Sequence, residues 1–155
     1  MSGVGVYGTF VEKKQFLIEH GSLNISEAGT DYILFPQDER NMVDPETDQS
    51  YLVKFNGYLV ITLSGTKDFY LMVDRKLRKV EFSETGFPIS DTQWISSGDL
   101  ANNGEPLKGG HIYEFMLRVG AKLTGRVVLQ QYIAFTVRSD YSDVSVYYSV
   151  FGVEV

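Results

Sequence analysis

The sequence predicts an all-β fold, an antiparallel β-sandwich, and three observations carry that prediction. Residues 132–155 run as strand-like sequence almost without interruption to the last residue, Val155. No stretch of ten or more residues keeps its apolar side chains at helical spacing. The 10 Phe and 10 Tyr make an aromatic share of 14%, a composition that suits pleated, half-buried surfaces. A chain of 155 residues is one domain long, so residues 1–155 are expected to share a single core.

Taken in order, the elements begin with a glycine-rich start. Gly3, Gly5 and Gly8 predict bulges, close backbone approach, or a loosely ordered arm over residues 1–10. Short strand candidates follow at residues 5–11, 15–20 and 31–35. Residues 36–50, PQDERNMVDPETDQS, read as a long polar loop, and patternless loops of that length are often functional. Asn56-Gly57 separates YLVKF from YLVITL, a type I′ hairpin signal. That hairpin opens a meander over residues 51–82, in which the Arg75-Lys76 pair separates FYLMVD from LRKVEF. Residues 96–110, SSGDLANNGEPLKGG, form a second loop dense in turn formers. Three runs at residues 111–119, 126–138 and 144–155 close the chain.

Short strands joined by two long loops suit two packed sheets better than an up-and-down barrel. A jelly roll is the leading architecture. An immunoglobulin-like sandwich is the alternative, weakened by the absence of cysteine.

The last strands carry a second signal on their two faces. In residues 126–138 Val127, Leu129, Ile133, Phe135 and Val137 make a core face interrupted by Gln131, whereas Arg126, Val128, Gln130, Tyr132, Ala134, Thr136 and Arg138 make a mixed one. Residues 111–119 repeat the asymmetry, with Tyr113, Phe115, Leu117 and Val119 opposite Ile112, Glu114, Met116 and Arg118. After Val144, Val146, Tyr148 and Val150 the apolar phase moves at Gly152 to Phe151, Val153 and Val155, which predicts a bulge or a strand end covered on both sides. Met116, Tyr132, Ala134 and Tyr147 are therefore the candidate oligomer interface, read against ordinary half-exposed strand residues.

Catalytic and metal signals are weak. His20 and His111 stand outside any His-x-His or His-Glu-x-x-His cluster, and the serines lack a Gly-x-Ser-x-Gly context. No enzymatic activity, cofactor or metal is expected. Asp44, Glu46 and Asp48 offer oxygen ligands but lack the glycine and distal glutamate of an EF-hand loop, and Asp140 and Asp143 are a fainter case. The net charge of -6 argues against nucleic acid as a partner. Arg75, Lys76, Arg78 and Lys79 read as charges guarding a hairpin tip. Trp94, the sole tryptophan, is a core or subunit anchor, or in the alternative a ligand-binding platform. The first residues show no basic segment followed by a long apolar run, so neither a secretory signal nor a membrane anchor is expected.

Two stretches together, the finish YYSVFGVEV and the hairpin YLVKFNGYLVITL before a meander, resemble the jelly-roll modules of virus and phage particles. These are small coat, cement or decoration, and fibre-head proteins. The same stretches resemble trimeric tumour-necrosis-factor- and C1q-type heads, where an aromatic-Gly pair comparable to Phe151-Gly152 lies at the subunit contact. No functional residue is carried over. The acidic balance departs from a coat protein that packages a genome through a basic tail, which favours an accessory, externally exposed component. The resemblance implies a non-enzymatic structural protein acting by self-association as a homo-oligomer with other particle proteins, in a virion or in host cytoplasm during assembly. A carbohydrate- or receptor-binding β-sandwich using Trp94 and the two long loops is the alternative.

Overall fold

The structure, a computed structural model, describes residues 15–38, 57–81, 84–85, 93–119, 122–124 and 127–154. Side chains are described there except at residues 76–81, 93–97, 122–124, 127–132 and 154. The strands are β1 (Gln15–Ile25), β2 (Tyr32–Phe35), β3 (Gly57–Gly65), β4 (Tyr70–Glu81), β5 (Gln93–Leu100), β6 (Ile112–Val119), β7 (Lys122–Thr124), β8 (Val127–Arg138) and β9 (Val144–Glu154). Sheet I has the order β1-β9-β3-β6, and sheet II the order β2-β8-β4-β5 with β7 also pairing β8. Every ladder is antiparallel. The chain is thus all-β, in two antiparallel sheets.

Period-two alternation explains how the two sheets share one core. Leu59, Ile61 and Leu63 of β3 and Val144, Val146 and Val150 of β9 are buried together with Leu71 of β4 and Ile133, Phe135 and Val137 of β8. The expected core face of β8 is therefore buried at each position whose side chain is described. Phe35 of β2 joins it, its ring centroid 5.7 Å from that of Phe135.

Several local expectations are corrected by the pairing. Among the described residues of the expected 51–82 meander, β3 and β4 do not pair, because β3 lies in sheet I and β4 in sheet II. The first arm of the Asn56-Gly57 hairpin falls outside the described residues. Over Gly57–Ser64 β3 pairs β9 on one edge and β6 on the other. Arg75-Lys76 does not break a strand: β4 is continuous, with β5 on one side and β8 on the other. The basic run accordingly lies within a paired strand, not at a hairpin tip.

The loop expected at residues 96–110 is shorter. Its first part, SSGDL, belongs to β5, where Ser96–Leu100 pair with Lys76–Met72, since an open β4 edge overrides weak local propensity. The remainder is pinned by Leu107, which is fully buried and exchanges both backbone hydrogen bonds with Phe69 at 2.7 and 3.0 Å. Beside it, the Gly109 and Lys108 donors converge on Asp68 at 3.0 and 3.2 Å and hold its carboxyl below the usual carboxylate range. A Cβ on Gly109 would lie 2.6 Å from the Lys67 Cα. Only glycine fits that approach.

No bulge interrupts β9 against β3, whose register runs unbroken from Glu154 to Val146. The irregularity sits on the partner strand, between Leu17 and Glu19 of β1. Gly152 keeps its inward phase, and an added Cβ would collide with the Phe16 ring. The sequence places a glycine there because Phe16 fills the core at that point. Phe151 and Val153 are then left on the outer face of sheet I.

Candidate self-association surface

Direct cross-strand partners share a face, so the ladders of sheet I assemble its outer surface row by row. Leu17 pairs with Phe151, Phe151 with Val60, and Val60 with Met116. One apolar row therefore crosses all four strands. Its ends are open, Leu17 at 50% and Met116 at 66% exposure, while Phe151 is half-buried and Val60 is covered. Two rows away, Ser22, Tyr147, Ser64 and Ile112 are likewise in register. Tyr147 and Ile112 are exposed there, and between them lies a shallow depression of about 340 Å³ that His20 and Thr62 also line.

Charge on this face is concentrated along β6. Its outward side chains are Ile112, Glu114, Met116 and Arg118, all exposed, and of its inward ones Tyr113, Phe115 and Leu117 are only half-buried while Val119 is buried. The Tyr113 and Phe115 rings stack with centroids 6.4 Å apart and planes 5° from parallel.

The four interface candidates fall on both sheets. Met116 and Tyr147 share the outer face of sheet I, but Tyr132 and Ala134 belong to β8 in sheet II, whose outer face points the other way. Ala134 is itself buried, at 5% exposure, in register with Asp74, which accepts a 2.8 Å hydrogen bond from Thr136 Oγ1. One copy therefore does not bring all four together. Tyr132 Cα is in register with Lys76. Trp94 lies in β5 at the register of Arg78, which also faces Gln130 of β8.

A buried carboxylate was not legible in the sequence. The irregularity at Leu17–Glu19 turns Glu19 inward, where it is 9% exposed. It accepts hydrogen bonds from the Gln37 amide at 2.8 and 3.0 Å, the Asp38 amide at 2.8 Å and the Tyr148 hydroxyl at 2.6 Å. The Tyr148 ring crosses β1 over Gly21 to reach it. Burial, and then the bond to Glu19, push the Tyr148 phenol well above its ordinary value. Chemically this is an anchor: a charge satisfied by four donor contacts ties β1, β9 and the end of β2 together.

Among the described residues no group of three His, Cys, Asp or Glu side chains is placed to hold a metal ion. Asp140 and Asp143 are exposed, and Asp44, Glu46 and Asp48 lie outside the described residues. Among those residues, too, no helix is long and apolar enough to cross a membrane. Comparison of the chain with protein-family models, with curated proteins and with solved structures finds no match.

Proposed function

We propose that this chain is a non-enzymatic structural protein of a virus or phage particle, a capsid, decoration or fibre component, built as a jelly roll and acting by self-association. The observation that carries self-association is the outer face of sheet I, where Leu17, Met116, Tyr147 and Ile112 are all exposed on one side of one sheet. Apolar surface gathered in this way favours burial against a partner.

Strand order supports the jelly roll. The steps β1 to β2, β2 to β3, β3 to β4, β5 to β6 and β8 to β9 each cross between sheets, as in two rolled-up Greek keys. An immunoglobulin-like sandwich keeps its first two strands in one sheet. Jelly rolls serve lectins and enzymes as well as capsids, so the particle role rests on the outer face and on the resemblance of the C-terminal strands.

Light scattering of the full chain over a concentration series tests the reading. A discrete oligomer is expected, weakened by Leu17→Ser together with Tyr147→Ser; a clean monomer at high concentration overturns it. The second reading is a carbohydrate- or receptor-binding β-sandwich using Trp94, which lies in β5 at the register of Arg78, and the two long loops. Glycan-array binding that Trp94→Ala abolishes would establish that alternative.

A further inference from the structure

We infer that β6 is a dimerisation edge: two copies of this chain pair β6 with β6 antiparallel, about a two-fold axis at Met116. The inference adds to the self-association reading, on which it rests, an edge contact distinct from the outer-face patch around Leu17 and Tyr147.

Three observations converge on this strand. The first is the contrast between the two edges of sheet I. Sheets avoid edge-to-edge pairing by means of bulges, inward-pointing charges and proline on their outer strands. The β1 edge carries two of these devices, the irregularity at Leu17–Glu19 and the inward Glu19 carboxylate. The β6 edge carries none of these three, and its two charges, Glu114 and Arg118, point outward and are of opposite sign. Its sequence IYEFMLRV contains no proline and no inward charge, and its register with β3 runs without a shift from Val119 to Ile112. Among the described residues no strand pairs with its second edge.

The second observation is an unfinished core. Tyr113, Phe115 and Leu117 point inward yet stay half-buried, because among the described residues β6 ends its sheet. In the proposed pairing Phe115 faces Leu117 of the second copy, and Leu117 faces its Phe115. The apolar layer then continues across the axis.

Charge complementarity is the third, and it selects the register. Glu114 and Arg118 are exposed at equal distances either side of Met116. With the axis at Met116, Glu114 of each copy stands directly opposite Arg118 of the other. Moving the axis to Phe115 or Leu117 places both charges opposite uncharged residues, and a parallel arrangement brings like charges together. Direct opposite-charge pairs stabilise a ladder and like pairs destabilise it. The same register sets Met116 beside Met116, so the row Leu17, Phe151, Val60 and Met116 runs through the axis into its symmetry mate. The contact is isologous and closes as a dimer.

Sedimentation velocity and light scattering on the full chain test this with Glu114→Lys and Arg118→Glu. Both positions are exposed, and wild-type-like circular dichroism with a cooperative thermal melt would show that each variant folds. Each variant alone is expected to dimerise at least about tenfold more weakly, since two attractive pairs become repulsive. An equimolar mixture of the two is expected to recover dimerisation as a heterodimer, because the introduced lysine of one copy then faces the introduced glutamate of the other, and the native arginine faces the native glutamate. Wild-type affinity in either variant, or a mixture that stays as weak as its components, overturns the β6 pairing and leaves self-association standing. A wild-type chain that is monomeric at every concentration overturns both.

Discussion

Removing Glu19 offers the sharpest test of how this fold is held together, through a double-mutant cycle of Glu19→Ala, Tyr148→Phe and the combined variant. The carboxylate is 9% exposed and receives the Tyr148 hydroxyl at 2.6 Å and two backbone amides at 2.8 to 3.0 Å. Hydrogen bonds to charged groups contribute about 1.5–3 kcal/mol each. Glu19→Ala loses all of them and orphans a buried phenol, but it also removes the desolvation cost of a buried charge, a few kcal/mol. The expected net loss is ~3 kcal/mol, a fall in Tm of roughly 6–12 °C. Tyr148→Phe removes one of the bonds and leaves the amides in place, so about 2 kcal/mol is expected. Once Glu19 is gone the phenol has no acceptor there, and truncating it then costs about nothing. The coupling energy is therefore about 2 kcal/mol. Urea unfolding followed by circular dichroism, at an m value common to all four proteins, measures it. Additive losses, with coupling below about 0.5 kcal/mol, would refute the claim that the two side chains act as one buried unit. Faster amide exchange at Gln37 and Asp38 should accompany Glu19→Ala.

Two further outcomes follow from the same geometry. Leu107→Ala should cost about 2–5 kcal/mol in urea unfolding, because Leu107 is fully buried within the core cluster; a loss near that of a surface position would separate residues 101–111 from the core. Stability should also fall in alkali through Tyr148. Its folded value is raised above the ordinary 10.0, so below about pH 10 its contribution is fully present. Above that, the unfolded chain releases a proton that the folded one keeps, and stability drops by up to about 1.4 kcal/mol per pH unit. Tyr148→Phe should flatten that decline relative to the wild type, and equal slopes in the two proteins would contradict the raised value.

Much of the strand content was legible because alternation is local. Ile133, Phe135 and Val137 announce a buried face by spacing alone, and Tyr113, Phe115 and Leu117 mark the inward side of β6 in the same way. Pairing was less legible. Arg75-Lys76 and SSGDL look like breaks, yet both lie in strands, since a ladder bonds backbone groups that every residue other than proline carries. The candidate surface divides along the same line. Met116 and Tyr147 were readable as outward residues, and both are exposed. Nothing local separated them from Ala134, which a different sheet claims. Glu19 gave no signal, because in QFLIEHG it resembles any solvent-facing charge and only the irregularity in β1 turns it inward.

The sequence by itself determined that the chain is built of strands and, strand by strand, which side chains stand together on one face, because a period of two is written in neighbouring residues. Only the tertiary structure decided which strands lie side by side. That choice rests on apolar burial and backbone pairing between residues far apart in the chain, and it is what aligned Leu17, Phe151, Val60 and Met116 in one row ending at the β6 edge.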